Sequence, residues 1–250
     1  MTNTTDKKTS KLIEQMFNAG AHFGYSKTRR HPSIKKFIFG SKNRIEIFDL
    51  EKTVISLENI KEYVKVLSAG GKQILFVSSK SEAKEAIIEG ASSIGMPFVA
   101  GRWIGGTLTN AGQIKKRVDR FQKLESDKEK GLLGKYTKKE RLLIDREIDK
   151  LERKFSGLVS LQGLPTALFV VDPSKEEIAV SEAISKNIPI IALANSDCNI
   201  KNVKYPVAAN DSSKASIQFF MSEIVSAYNE GKNLTPKKVV ETNKVETEKK

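Results

Sequence analysis

The chain has 250 residues and a 39% apolar share, enough to bury a core in one domain with an elaboration or in two small domains. Its formal net charge of +13, with a pI near 9.6, favours a polyanionic partner and disfavours cations. A single cysteine, Cys198, excludes an internal disulfide and a thiolate metal cluster and suits a reducing cytoplasm, and two histidines leave little material for acid-base or zinc chemistry.

The start, MTNTTDKKTSK, lacks the apolar centre of a signal peptide, and no apolar run is long enough to span a bilayer, so nucleic acid ranks ahead of a membrane as partner. Residues 1–9 are expected to be flexible. Ser10 is the candidate cap of a short helix with Leu12, Ile13, Met16 and Phe17 on one face and Gly20 at its end. His22, in AGAHFG, reads as a hydrogen-bonded packing residue.

The segment that follows, YSKTRRHPSIKKFIFGSKNRIEIFDL, carries Lys27, Arg29, Arg30, Lys35, Lys36, Lys42 and Arg44 with no acid before Glu46. Tyr25, Phe37 and Phe39 lie among these cations, an interleaving suited to a sugar-phosphate backbone with exposed bases. Arg44 to Phe48 alternates as a strand does and is expected to pair with Lys36 to Phe39 in a hairpin across Gly40-Ser41.

Helical spacing over Asp49 to Ala69 ends at Gly70-Gly71; KQILFV then reads as a buried strand, and a helix through Ala83, Ala86, Ile87 and Ile94 stops at Gly95-Met96-Pro97. The short strand Phe98-Val99-Ala100 leads into Gly101, Arg102, Trp103, Ile104, Gly105 and Gly106, with Thr107 or Thr109 as cap of a helix carrying Lys115, Lys116, Arg117 and Arg120. Gly101 and Gly106 have the spacing of a phosphate loop, but Thr107 stands where that loop needs lysine, and no dinucleotide fingerprint follows any strand. Trp103 is either a core anchor or an aromatic wedge against RNA or protein.

From about Thr109 to Ser156 there is no strand signal, only two helical seams, Ile114, Val118, Phe121 and Leu124, then Ile144, Ile148, Leu151 and Phe155. They predict a helical hairpin, a coiled coil, inserted over 110–156. The strand run resumes at Leu164 to Val171, with Asp172-Pro173 as cap and first-turn proline of a helix whose buried side is Ile178, Ala179 and Ala183. Ile188 to Leu193 and Tyr205 to Ala208 are further strands, Asp211 the cap of the last helix, and 231–250 a disordered tail. Alternating strands and helices predict an α/β core over 10–109 and 157–230, a parallel sheet covered on both faces.

Four stretches, MFNAGAHFG, RRHPSIKKFIFGSKNRIEIFDLEKTV, GRWIGGTLTN and LPTALFVVDPSKEEIAVSEAISKNIPIIAL, resemble in the same order the motifs of the bacterial family of second proteins of the small ribosomal subunit. The resemblance implies a flavodoxin-like (Rossmann-like) sheet with a protruding helical hairpin, no catalysis, no cofactor, and a seat on the back of the subunit between head and body. The partners it implies are small-subunit (16S) rRNA and neighbouring ribosomal proteins, including the large RNA-capturing one. The chain departs from the family's pattern where an acid-rich loop is usual, having Asn195-Ser196-Asp197-Cys198-Asn199-Ile200-Lys201, and where a second histidine is usual, having Tyr25.

The candidate RNA-binding residues are therefore Lys27, Arg29, Arg30, Lys35, Lys36, Lys42, Arg44, Arg102, Lys115, Lys116 and Arg117. His22, Trp103, Gly105 and Gly106 are candidates for a structural or partner turn, and no catalytic or metal-binding set is assigned. The alternatives are an enzyme binding a nucleotide or sugar phosphate on a doubly wound sheet, and a module that docks proteins through the hairpin.

Overall fold

The computed structural model describes residues 2–233. It opens with helix α1 (Thr2–Asn18), so the expected flexible start is helical from residue 2 and Ser10 lies inside the helix instead of capping it. Strands β1 (Phe23–Ser26), β2 (Ile38–Lys42) and β3 (Ile45–Phe48) form an antiparallel sheet in the order β1-β3-β2. The hairpin turn falls at Asn43-Arg44, not at Gly40-Ser41. Both turn residues are left-handed, with φ of 52° and 67°, as two-residue hairpin loops whose twist matches the strands require. Gly40 instead sits within β2, just past a register shift, opposite Ile47.

The remainder alternates as α2 (Leu50–Ala69), β4 (Ile74–Val77), α3 (Ser81–Ser93), β5 (Phe98–Val99), α4 (Ala111–Glu129), α5 (Lys138–Phe155), β6 (Ala167–Val171), α6 (Glu177–Ser185), β7 (Ile190–Ala194), β8 (Tyr205–Ala208) and α7 (Lys214–Asn233). The last five strands make one parallel sheet ordered β5-β4-β6-β7-β8. Taken in chain order, this is the flavodoxin-like arrangement, with its topological switch point between β4 and β6. The strands are apolar throughout because both faces are covered. Ile74, Phe76, Phe169, Ile191 and Leu193 pack with α2, α3 and α7, whereas Leu75, Val77, Leu168, Val170 and Ala192 pack with α6, the hairpin and the three-stranded sheet.

Helices α4 and α5 pack on each other through Val118, Phe121, Ile148 and Leu151, and ion pairs Arg120–Glu147 and Lys128–Asp145, both at 2.8 Å, cross between them. Neither Thr107 nor Thr109 caps α4, which starts after Asn110, whereas Thr137 and Glu140 form a reciprocal capping box at the start of α5. The return leg, a short 3-10 turn over Ser156–Leu158, lies along β5, with Gly157 packed against the Phe98 carbonyl and no room there for a side chain.

Two expectations fail in the C-terminal half for a shared reason, that tertiary partners claim the residues. Ala179 and Ala183 line the buried side of α6 as expected, but Ile178 is 60% exposed and Glu182 takes the third inner place. Gly231 does not end the last helix; it lies inside α7, buried against α2, the helix runs on through Asn233, and the expected tail from 234 onward falls outside the described residues. A Cβ at Gly231 would stand 2.5 Å from the Lys65 carbonyl oxygen. Helix propensity alone gives Gly231→Ala a gain of up to ~1 kcal/mol. The overlap with α2 reverses that sign, so the substitution should lower unfolding stability by about 1–3 kcal/mol, read from the urea midpoint.

Candidate functional site

In an open parallel sheet a ligand binds beyond the carboxyl ends of the strands at the switch point. Here the loops after β4, β6, β7 and β8 bring Lys80, Asp172, Asn195 and Asp211 to that place, all of them buried. The Lys80 ammonium lies 2.8 Å from Asp172 Oδ2 and 2.8 Å from Asp211 Oδ2, and Asn195 Nδ2 donates to Asp211 Oδ1 at 2.8 Å. Burial opposes the lysine charge, but the two carboxylates outweigh it and hold the ammonium well above the ordinary lysine range.

Asp172 is not the cap of α6. With φ of 64° it closes an Asx turn to the Ser174 and Lys175 amides and gives its other oxygen to Lys80. Asp211 likewise belongs to the ion cluster, and Ser213 stands before α7, its Oγ accepting from the Ser216 amide. Asp172, Cys198 and Asp211 bring potential metal-ligand atoms within 4.8 Å of one another, but the Lys80 ammonium bonds both carboxylates. Burial, then the neighbouring aspartates, push the Cys198 thiol far up, so it stays protonated. The cluster ties strand ends together and leaves neither a free base nor a nucleophile among its members.

The glycine turn is organised around an anion supplied by the chain itself. Glu182, on the inner side of α6, accepts five hydrogen bonds: from the Trp103 indole N–H at 3.0 Å, the amides of Gly106 at 2.7 Å, Leu108 at 3.0 Å and Thr109 at 3.0 Å, and the Thr109 hydroxyl at 3.1 Å. Gly106 alone of the glycine pair takes a positive φ, 92°, which aims its N–H at the carboxylate. Burial pushes the Glu182 carboxyl up, but the indole and the convergent amides together hold it below its ordinary value. Trp103 is buried, so it anchors the turn and does not present a wedge to a partner. Sequence reasoning missed Glu182 because an acid in a helix reads as solvated.

The candidate cations fall into two groups. Lys27, Arg29, Lys35, Lys36, Lys42 and Arg44 are exposed on the three-stranded sheet and its loops, Arg29 lying over the Tyr25 ring at 5.8 Å and Lys36 over Phe37 at 5.1 Å. Arg30 differs, being half-buried and paired at 3.1 Å with the inward-facing Glu46. His22 is a packing residue, stacked on Phe17 at 4.3 Å and against Phe23 at 4.0 Å; its Nδ1 makes no hydrogen bond, and burial lowers its affinity for a proton.

In the second group, Arg102, Lys115, Lys116 and Arg117 are exposed at the base of α4. Arg117 shares a hollow of about 520 Å³ with Arg146, Lys150 and Lys154 of α5, and Arg102 shares another with Arg153 and Lys154. Arg146, Lys150 and Lys154 were not singled out from the sequence, although their spacing of four already put them on one helical stripe.

Two outcomes follow. Lys80→Met leaves two carboxylates buried without a cation and should cost about 3–5 kcal/mol in urea unfolding, much of it regained when Asp211→Asn is added. Glu182 contributes stability that is fully present above its ordinary value of 4.5 and is lost as pH falls through its lowered folded value. Glu182→Gln should therefore lower stability by about 1–3 kcal/mol at pH 7 and flatten the acid limb of a stability-pH profile.

Comparison with known proteins agrees with this architecture. A family model described as ribosomal protein S2 matches residues 16–231. The chain is 42% identical over 226 residues to the small ribosomal subunit protein uS2 of Dictyoglomus thermophilum, covering 90% of this chain and 92% of the relative. Identity to the proteins of the same name is 42% over 219 residues in Mycobacteroides abscessus, covering 88% and 79%, and 39% over 230 residues in Dehalococcoides mccartyi, covering 92% and 94%. An α/β sheet with its own side chains filling the strand ends, matched along nearly its whole length by these sequences, belongs to the ribosomal protein S2 family.

Proposed function

We propose that the chain is a non-enzymatic structural protein of the small ribosomal subunit in the cytoplasm, supporting translation by holding small-subunit (16S) rRNA on its cationic surfaces and docking neighbouring ribosomal proteins, the large RNA-capturing one among them. The observation that carries this is the family match over 16–231. The distribution of charge supports it: buried acids are met by the chain's own donors, while the cations of the arm and hairpin face outward. We read 10–109 and 157–230 as one α/β unit, and 110–156 as an inserted coiled-coil hairpin that extends its reach. Phosphate contacts from the two cationic groups would fix position without reading much sequence. An enzyme built on the same sheet needs the switch point for its substrate, and Lys80 with its two aspartates stands there.

The test is the salt dependence of binding to isolated rRNA. Affinity should fall steeply with salt, and Lys35→Ala with Lys36→Ala, or Arg146→Ala with Lys150→Ala, should each reduce the log-log slope by about 1.4–1.8, two phosphate contacts' worth. Arg30→Ala should behave differently, destabilising the fold by stranding Glu46 while leaving the slope nearly unchanged. A flat salt response, or failure of the protein to sediment with small subunits at low salt, would refute the proposal.

A further inference from the structure

We propose that the outer face of the three-stranded sheet holds an unpaired nucleotide of RNA, its base laid on Phe23 and its edge met by Asn43. This rests on the rRNA-binding reading above and names the part of the RNA taken up. Strand β3 turns Phe48 to the core together with an acid, and sends two isoleucines outward. Glu46 faces inward, 1% exposed and paired with Arg30, while Ile45, 44% exposed, and Ile47 face outward. A half-covered strand ordinarily turns its apolar residues to the core and its charges to water. Phe23 lies beside Ile47 and is itself 48% exposed; Gly40, on the other side of Ile47, adds no side chain. The result is a hollow of about 250 Å³ lined by Phe23, Lys42, Asn43, Ile45 and Ile47.

The chemistry of that lining fits a nucleotide. A phenyl ring and two isoleucines offer an apolar floor to the π face of a base, and stacking on an aromatic side chain tolerates any base. The Asn43 amide carries both a donor and an acceptor, the complement of a base edge left unpaired. Lys42 stands at the rim for the phosphate, with Arg44 in the turn itself. The sole acid between Ser26 and Phe48 is Glu46, which is buried, so no exposed carboxylate on this stretch repels a polyanion. That charge pattern favours RNA over a protein as the occupant.

The test uses the full chain with two RNA hairpins of equal length, one fully paired and one carrying a single bulged 2-aminopurine. Wild type should bind the bulged RNA about 5- to 30-fold more tightly and quench the fluorophore. Phe23→Ala should abolish both effects. Because Phe23 also packs on His22, Phe23→Leu serves as the second variant, keeping bulk without the ring; it should likewise lose the preference while its melting temperature stays near wild type. Lys35→Ala with Lys36→Ala should weaken both RNAs alike and leave the preference intact, which separates loss of the cationic arm from loss of the hollow. Equal binding of the two hairpins by wild type overturns the proposal, as does retention of the preference by Phe23→Leu. A Phe23 variant that binds both RNAs as wild type does, yet fails to enter small subunits, assigns the face to a protein and overturns it too.

Discussion

A single ammonium group holds the carboxyl edge of the parallel sheet together. Four strands end side by side there, and each following loop delivers one polar group: Lys80 after β4, Asp172 after β6, Asn195 after β7 and Asp211 after β8. Two aspartates at that depth would repel each other, and both bond the same lysine. Asp172 also holds the turn that starts α6, and Asp211 Oδ1 accepts from the Ser212 hydroxyl just ahead of α7, so the cluster reaches the start of both helices. A doubly wound sheet usually keeps this crevice for a ligand. Here it is spent on closure, and the sheet becomes a scaffold.

The same rule governs the glycine turn. Backbone amides converge there as they do around a phosphate, but the anion is Glu182, rigidly delivered by a helix of the same chain. Both places where an α/β protein commonly takes a phosphorylated small molecule are thus satisfied internally. The surplus positive charge is left on the arm between β1 and β3 and on the α4–α5 hairpin, where an extended anion can reach many cations at once.

Local signals were legible in the sequence and long-range ones were not. The apolar runs of β4, β6 and β7 announce strands covered on both sides, and the seams of α4 and α5 announce two helices that pack on each other, because each depends on spacing within one element. Asp172 and Asp211 look like helix caps to any local rule, since nothing nearby in sequence points to Lys80. Glu182 and its donors are more than seventy residues apart, so GRWIGGTLTN shows locally only as a phosphate-loop spacing without its lysine. The hairpin turn was misplaced because Gly40-Ser41 has the stronger turn composition, whereas the left-handed backbone fell to Asn43 and Arg44. The cations were found readily as a set, but which of them is diverted to an inward-facing acid, as Arg30 is, depends on strand polarity that composition hides.

The course of the chain after α5 has a consequence of its own. β5 is only two residues long and would otherwise present bare peptide groups at one border of the sheet, while at the opposite border Pro206 removes a donor from β8. The leg through Gly157 lies along β5 so closely that no second strand has room to zip on. Whatever the hairpin meets in an assembled particle, the way it is stitched back into the parent sheet already guards newly made copies against polymerising with one another.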